Sequence, residues 1–92
     1  MNPLTKAALK ARWRMGRARH AGTDTDIERM DATELSIQGA EEIADAVHYL
    51  RRVQTGYMQG LADRAELLLD LVPDGILREV ARRADQEVPD GD

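Results

Sequence analysis

AEEIADAVHYLRRVQTGYMQGLADRAELLLDLV, residues 40–72, is the stretch on which the fold turns. Within it Ile43, Val47, Leu50, Gln54, Tyr57, Leu61, Arg64, Leu68 and Leu71 follow one another by steps of four and three. Such spacing puts all nine positions on one stripe of a helix, as in a heptad seam. Unbroken, the segment would span roughly 50 Å at 1.5 Å per residue. Gly56 and Gly60 oppose that, each costing about 1 kcal/mol relative to alanine inside a helix. QTGYMQG, residues 54–60, holds both glycines and a threonine, so a hairpin of two helices is favoured over one long helix. Gln54 and Arg64 are polar at seam positions. They either fix register or oligomer state, or mark where the seam ends because the chain turns. The nine residues together form the candidate oligomer seam.

Working toward the C-terminus, Pro73-Asp74-Gly75 breaks the preceding helix. A last helix over residues 74–87 is expected, with Ile76, Leu77, Val80, Ala81 and Ala84 on its apolar face and Arg78, Arg82 and Arg83 elsewhere. Residues 89–92 are an acidic, helix-breaking tail.

Toward the N-terminus, residues 23–39 read as a linker rich in capping residues. Asp31-Ala32-Thr33-Glu34 has capping-box spacing, and Thr33 to Gln38 could instead form a short strand ended by Gly39. Ile27 and Met30 fit one short turn. Before the linker, Asn2-Pro3 is a helix opening and His20-Ala21-Gly22 a helix stop. A first helix over residues 3–21 follows, weakened at Gly16. The expected organisation is a basic helical arm (1–22), a linker (23–39), a helical body (40–88) and the tail (89–92). The fold class is all-α: a small three- or four-helix protein with an extended basic N-terminal helix.

Charge separates these parts. Residues 1–20 hold Lys6, Lys10, Arg12, Arg14, Arg17 and Arg19 and no acid, whereas residues 21–92 set 7 basic residues against 17 acids, a net of −10. An asymmetry of this size points to a charged partner for at least one end. Like charges at Lys6–Lys10 and Lys10–Arg14 oppose the isolated helix, so the arm is expected to order on binding. Trp13 and Leu9 lie near one another on the arm, and aromatic and arginine side chains are those that protein interfaces favour. Lys6, Leu9, Lys10, Arg12, Trp13, Arg14, Arg17 and Arg19 are therefore the candidate partner-binding residues. The apolar stripe of Leu4, Ala8, Ala11 and Met15 is half alanine, too thin for firm burial in a membrane surface.

The chemistry-bearing residues are sparse. With no cysteine there is no disulfide, thiolate zinc site or cysteine nucleophile. Ser36 is the only serine, and His20 and His48 the only histidines; none stands in a nucleophile or metal-ligand pattern. Ser36 reads as a cap or turn residue and His48 as a surface or seam-edge residue. The run DTDIERMD, residues 24–31, alternates oxygens like a calcium loop but lacks the central glycine and the terminal glutamate. No glycine-rich phosphate cradle appears. The reading expects no enzyme, no cofactor and no metal.

LSIQGAEEIADAVHYL (35–50) followed by ILREVARRA (76–84) is similar to the front half of some tail-completion proteins of tailed bacteriophages. That resemblance covers about half of the 92 residues. The basic arm has no counterpart in it, and the later strands of such proteins are missing.

A core built mainly of Ala, Leu, Val, Ile and Met, without phenylalanine, is thin for this length and invites help from a partner. The expected function is a structural or interaction subunit of a larger oligomeric assembly, a phage virion or head–tail component being the most concrete version. The arm would dock on a protein with an acidic surface, either another subunit or further copies of the chain. The alternative is a nucleic-acid-binding accessory protein using residues 6–19. No apolar run approaches the roughly 20 residues of a membrane span and no apolar segment follows the basic start. The expected location is therefore cytoplasm or virion, without a secretory signal.

Overall fold

A computed structural model describes residues 1–87; the expected tail, 89–92, lies outside the described residues. Among the described residues the chain forms α1 (Pro3–His20), α2 (Ala32–Arg51), α3 (Gly56–Asp70) and α4 (Asp74–Glu87), with a 3-10 turn at Ile27–Arg29 and no strand. It is a small all-α protein. It divides into two compact units, Met1–Asp31 and Ala32–Asp92.

In the first unit, Asn2 opens α1 by accepting a hydrogen bond from the Leu4 amide at 2.7 Å, and Pro3 fills the first position, where its missing N–H costs nothing. α1 runs through Gly16 without a break and ends at His20. Gly22 follows with φ +74°, the left-handed conformation that glycine adopts without a Cβ penalty.

In the second unit, α2 begins at Ala32, eight residues before the expected body. The reason is Ile37, which is buried and extends the apolar stripe of Ala40 and Val47 back by one turn. The linker is thereby shortened to end at Asp31, and the strand alternative for residues 33–38 is displaced. Ser36 is neither cap nor turn: it sits inside α2, with its hydroxyl donating to the Ala32 carbonyl at 2.8 Å.

The favoured hairpin is what forms. α2 stops at Arg51, and Thr55, in an extended conformation, caps α3 by accepting from the Met58 amide at 3.3 Å. Gly56 is then the first residue of α3, a position where its helix penalty is slight. One side-chain cluster latches the turn. Arg51 donates to the Gln59 carbonyl and Oε1 (3.2 and 3.0 Å) and to Asp63 and Glu66 (2.6 and 2.9 Å). Gln59 Nε2 donates back to the Arg51 and Val53 carbonyls (3.1 and 2.9 Å), which the end of α2 leaves without helical partners.

The turn divides the nine seam positions. Val47 is buried and Ile43, Leu50 and Leu61 are half-buried in the hairpin, Gln54 lies in the turn, and Tyr57, Arg64, Leu68 and Leu71 face solvent. The buried core is Ile37, Ala40, Val47 and Ala62, with Ala62 fully enclosed.

α4 docks on α2 through charge as well as apolar contact. Ile76, Leu77 and Val80 are half-buried, as expected, but Ala81 and Ala84 are exposed and Arg83 takes the inward edge instead. Arg83 donates two hydrogen bonds to Glu34 (2.6 and 3.0 Å) and one to Glu79 (3.0 Å). Glu79 also accepts from Arg82. The two arginines hold the Glu79 carboxyl at a pKa of about 2, and Arg83 and then Gln38 lower that of Glu34. Glu41 lies near this cluster with one carboxylate oxygen buried and unpartnered, and burial raises its pKa.

Two predictions concern stability. Thr55→Ala and Gln59→Ala should each cost about 1 kcal/mol, through lost capping at the turn, in urea unfolding. Glu41→Gln should raise Tm at neutral pH and leave it unchanged in acid. With a folded-state pKa above the unfolded one, the cost of burying this carboxylate applies above the folded pKa and vanishes below the unfolded value of 4.5. A Tm lowered by the substitution at pH 7 would contradict that assignment.

Candidate functional site

The first unit carries the strongest concentration of one charge. α1 has six basic residues, no acid, and no buried side chain. At about 100° per residue, Leu9, Trp13, Lys6, Arg17, Lys10 and Arg14 share one broad face. Arg12 and Arg19 fall on the far flank, so the eight residues picked out in the sequence do not make a single surface. Leu4, Ala8, Ala11 and Met15 form the remaining side and are all exposed.

The C-terminal end of that face is held rigidly, and Asp26 holds it. Asp26 is 5% exposed, the one buried polar residue among those described. It accepts from the backbone amides of Gly22 (2.7 Å) and Glu28 (3.1 Å) and from the Arg17 guanidinium. Those donors, the two amides first and Arg17 after them, lower its carboxyl pKa from 3.8 to about 2. Arg17 also pairs with Glu28 at 3.4 Å, and its guanidinium lies 5.9 Å from the centre of the Trp13 ring, within cation–π range. A chain of contacts thus runs from the loop through Asp26 and Arg17 to the indole.

Arg17, one of the candidate partner-binding residues, is already paired with Asp26 and Glu28 and lies beside the Trp13 ring. Trp13 remains 51% and Leu9 56% exposed, leaving an aromatic and an aliphatic anchor available beside Lys6, Lys10 and Arg14. Among the described residues Lys6, Lys10, Arg12, Arg14 and Arg19 make no ion pair; Arg12 contacts only the Met15 sulfur, at 3.6 Å.

The acidic run at residues 24–31 is organised by the same latch. Asp26 spends both oxygens on N–H donors, leaving them turned inward rather than toward a cation. His20 contacts Thr25, and Thr23 Oγ1 donates to the His20 carbonyl at 2.7 Å, closing the loop onto the end of α1. Among the described residues no group of three or more His, Asp or Glu side chains is placed to hold a metal ion, and no helix is long and apolar enough to cross a membrane.

In the second unit an open cleft lies between the starts of α2 and α4, lined by Thr33, Ser36, Ile37, Pro73, Ile76 and Glu79 among others. Within it the Ser36 hydroxyl donates to the Ala32 carbonyl, and the Glu79 carboxylate accepts from Arg82 and Arg83.

Sequence reasoning missed Asp26, Gln59 and the cross-helix role of Arg83. The one available signal was Asp26 standing in a cap-rich loop after a glycine, which suggested a cap but not its capture of Arg17. Comparison with known protein families, with curated proteins and with solved structures finds no match.

Because Asp26 titrates below its unfolded value, the latch is complete above pH 3.8 and is lost as pH falls through about 2. Carbon-detected titration of the Asp26 carboxyl should give that low midpoint. Asp26→Ala should speed amide exchange at Gly22 and Glu28 and shift the Trp13 emission at neutral pH; unchanged exchange at both amides would remove the latch from the account.

Proposed function

We propose that the chain is a non-catalytic interaction subunit whose basic α1 docks on an acidic surface of a protein partner. The observation that carries this reading is a helix with no buried side chain, bearing exposed cations without intramolecular acids and a tryptophan braced by a neutralised arginine. An 18-residue helix that buries nothing contributes little to the stability of its own fold. Its maintenance is accounted for by a surface it meets elsewhere.

Protein is favoured over nucleic acid by the remainder of the chain. Residues 32–92 hold 6 basic residues and 13 acids, a net of −7 tethered directly to the arm. A polyanion would be repelled by that body, whereas a protein partner offers a bounded acidic patch with an apolar centre for Trp13 and Leu9. Assemblies of the kind in which small helical subunits are built into a larger particle, phage virions among them, supply such partners.

Trp13 is the sole tryptophan, so its emission reports directly on docking. Neighbours should be captured by crosslinking the native complex, and the purified pair titrated by Trp13 fluorescence at several salt concentrations. The expected result is an acidic protein whose affinity falls about tenfold or more for Lys6→Glu/Lys10→Glu. Tight binding to duplex DNA or RNA instead, with a log–log salt slope that shrinks by about 2 in the same double variant, would establish the nucleic-acid alternative.

A further inference from the structure

The seam between α2 and α4 carries one attraction and one repulsion. On α4, Ile76, Val80, Arg83 and Glu87 follow one another by steps of four and three, which puts them on one side of the helix. On α2, Glu34, Ile37 and Glu41 form a row of the same kind. Arg83 joins the two rows through its hydrogen bonds to Glu34 (2.6 and 3.0 Å). One turn further along α4, Glu87 comes within electrostatic reach of Glu41, so like charges meet where the clasp ends. Glu34 and Asp45 add to the negative field at Glu41, and the cation acting on it, Arg83, is already divided between Glu34 and Glu79. Glu41 Oε1 is meanwhile shut off from solvent without a hydrogen-bond partner. Such an oxygen favours the protonated form, and a protonated Glu41 is a donor set among carboxylate acceptors.

We infer that the end of α4 is an acid-fastened flap: with Glu41 ionised its last turn, residues 84–87, docks loosely on α2, and it closes when Glu41 takes up a proton. The base of the flap is the Arg83 clasp, and the two ends of the seam respond to acid at different points. Burial raises the pKa of Glu41, whereas Arg83 and then Gln38 lower that of Glu34, and Arg82 and Arg83 hold Glu79 at about 2. The repulsion is therefore present above the folded-state pKa of Glu41 and gone below it, while the clasp survives until Glu34 is protonated in turn. Docking of α4 is tightest in mild acid, between those two titrations, and looser at neutral pH. The remaining charged groups near this seam are separable. His48 stands two turns beyond Glu41 on the same side of α2 and is exposed. The α3 acids Asp63 and Glu66 are engaged by Arg51, about 15 Å along α2 at 1.5 Å per residue.

Amide protection factors in the full-length chain, followed from about pH 7 to about pH 4, test this, because they report the opening equilibrium of each segment. Protection at residues 84–87 should rise about fivefold as Glu41 titrates, and by more than at residues 60–69 of α3. Glu41→Gln should show the higher protection already at pH 7 and lose the pH dependence. Glu87→Gln should raise protection as well, in part because it removes an acid from a helix C-terminus. The double variant separates the two causes: substitutions that relieve one shared repulsion should give less than the sum of their single gains. His48→Gln should leave the pH dependence in place. Strictly additive gains, a rise of equal size throughout α3, or a pH dependence that disappears with His48→Gln would each overturn the proposal.

Discussion

The second unit depends on how the chain reverses after Arg51. At that point α2 must stop with its last carbonyls unsatisfied, and a four-residue connection must bring α3 alongside. Gln59 settles both requirements, because its amide nitrogen reaches back to the Arg51 and Val53 carbonyls while its own carbonyls accept from the Arg51 guanidinium. Asp63 and Glu66 complete the charge around Arg51 and raise its pKa, Asp63 chief among them. Those two ion pairs are solvent-exposed and contribute modestly by themselves. Their effect is to hold the guanidinium where the neutral hydrogen bonds need it. Without the reversal, the stripe from Ile43 to Leu71 would lie along one continuous helix and no hairpin interior would exist.

The interior so formed is shallow. Its two least exposed side chains are the alanines Ala62 and Ala40, at 0 and 2%. Alanine lets helices approach closely but removes little apolar area from water. Polar contacts therefore carry an unusual share of the specificity: Glu34, Arg83 and Glu79 align α4 on α2, as Arg51 and Gln59 align α3. Charged pairs give register and orientation more readily than net stability. The apolar area that would supply stability is instead displayed on α3.

How far the sequence reached follows from the range of each interaction. Elements bounded by local chemistry were legible: Asn2-Pro3 opens α1, Gly22 closes it, and Pro73 precedes α4, which begins at Asp74 as expected. The start of α2 was not, because residues 33–38 are too short a run for period 2 and period 3.6 to be told apart, and Ile37 declares its helix only once α4 packs near it. In the same way Thr55 could be suspected as a cap, but Gln59 reaching back eight residues to Arg51 could not. On the arm, the cations and Trp13 were plain as composition. That Arg17 is neutralised depends on a loop closing across nine residues to Asp26, which no periodicity encodes.

Surface charge alone makes a weak grip. At physiological ionic strength the Debye length is about 8 Å, so the exposed pairs proposed between α1 and an acidic partner would be partly screened. Trp13 and Leu9 add apolar area, but a single half-exposed anchor pair supports only a labile contact.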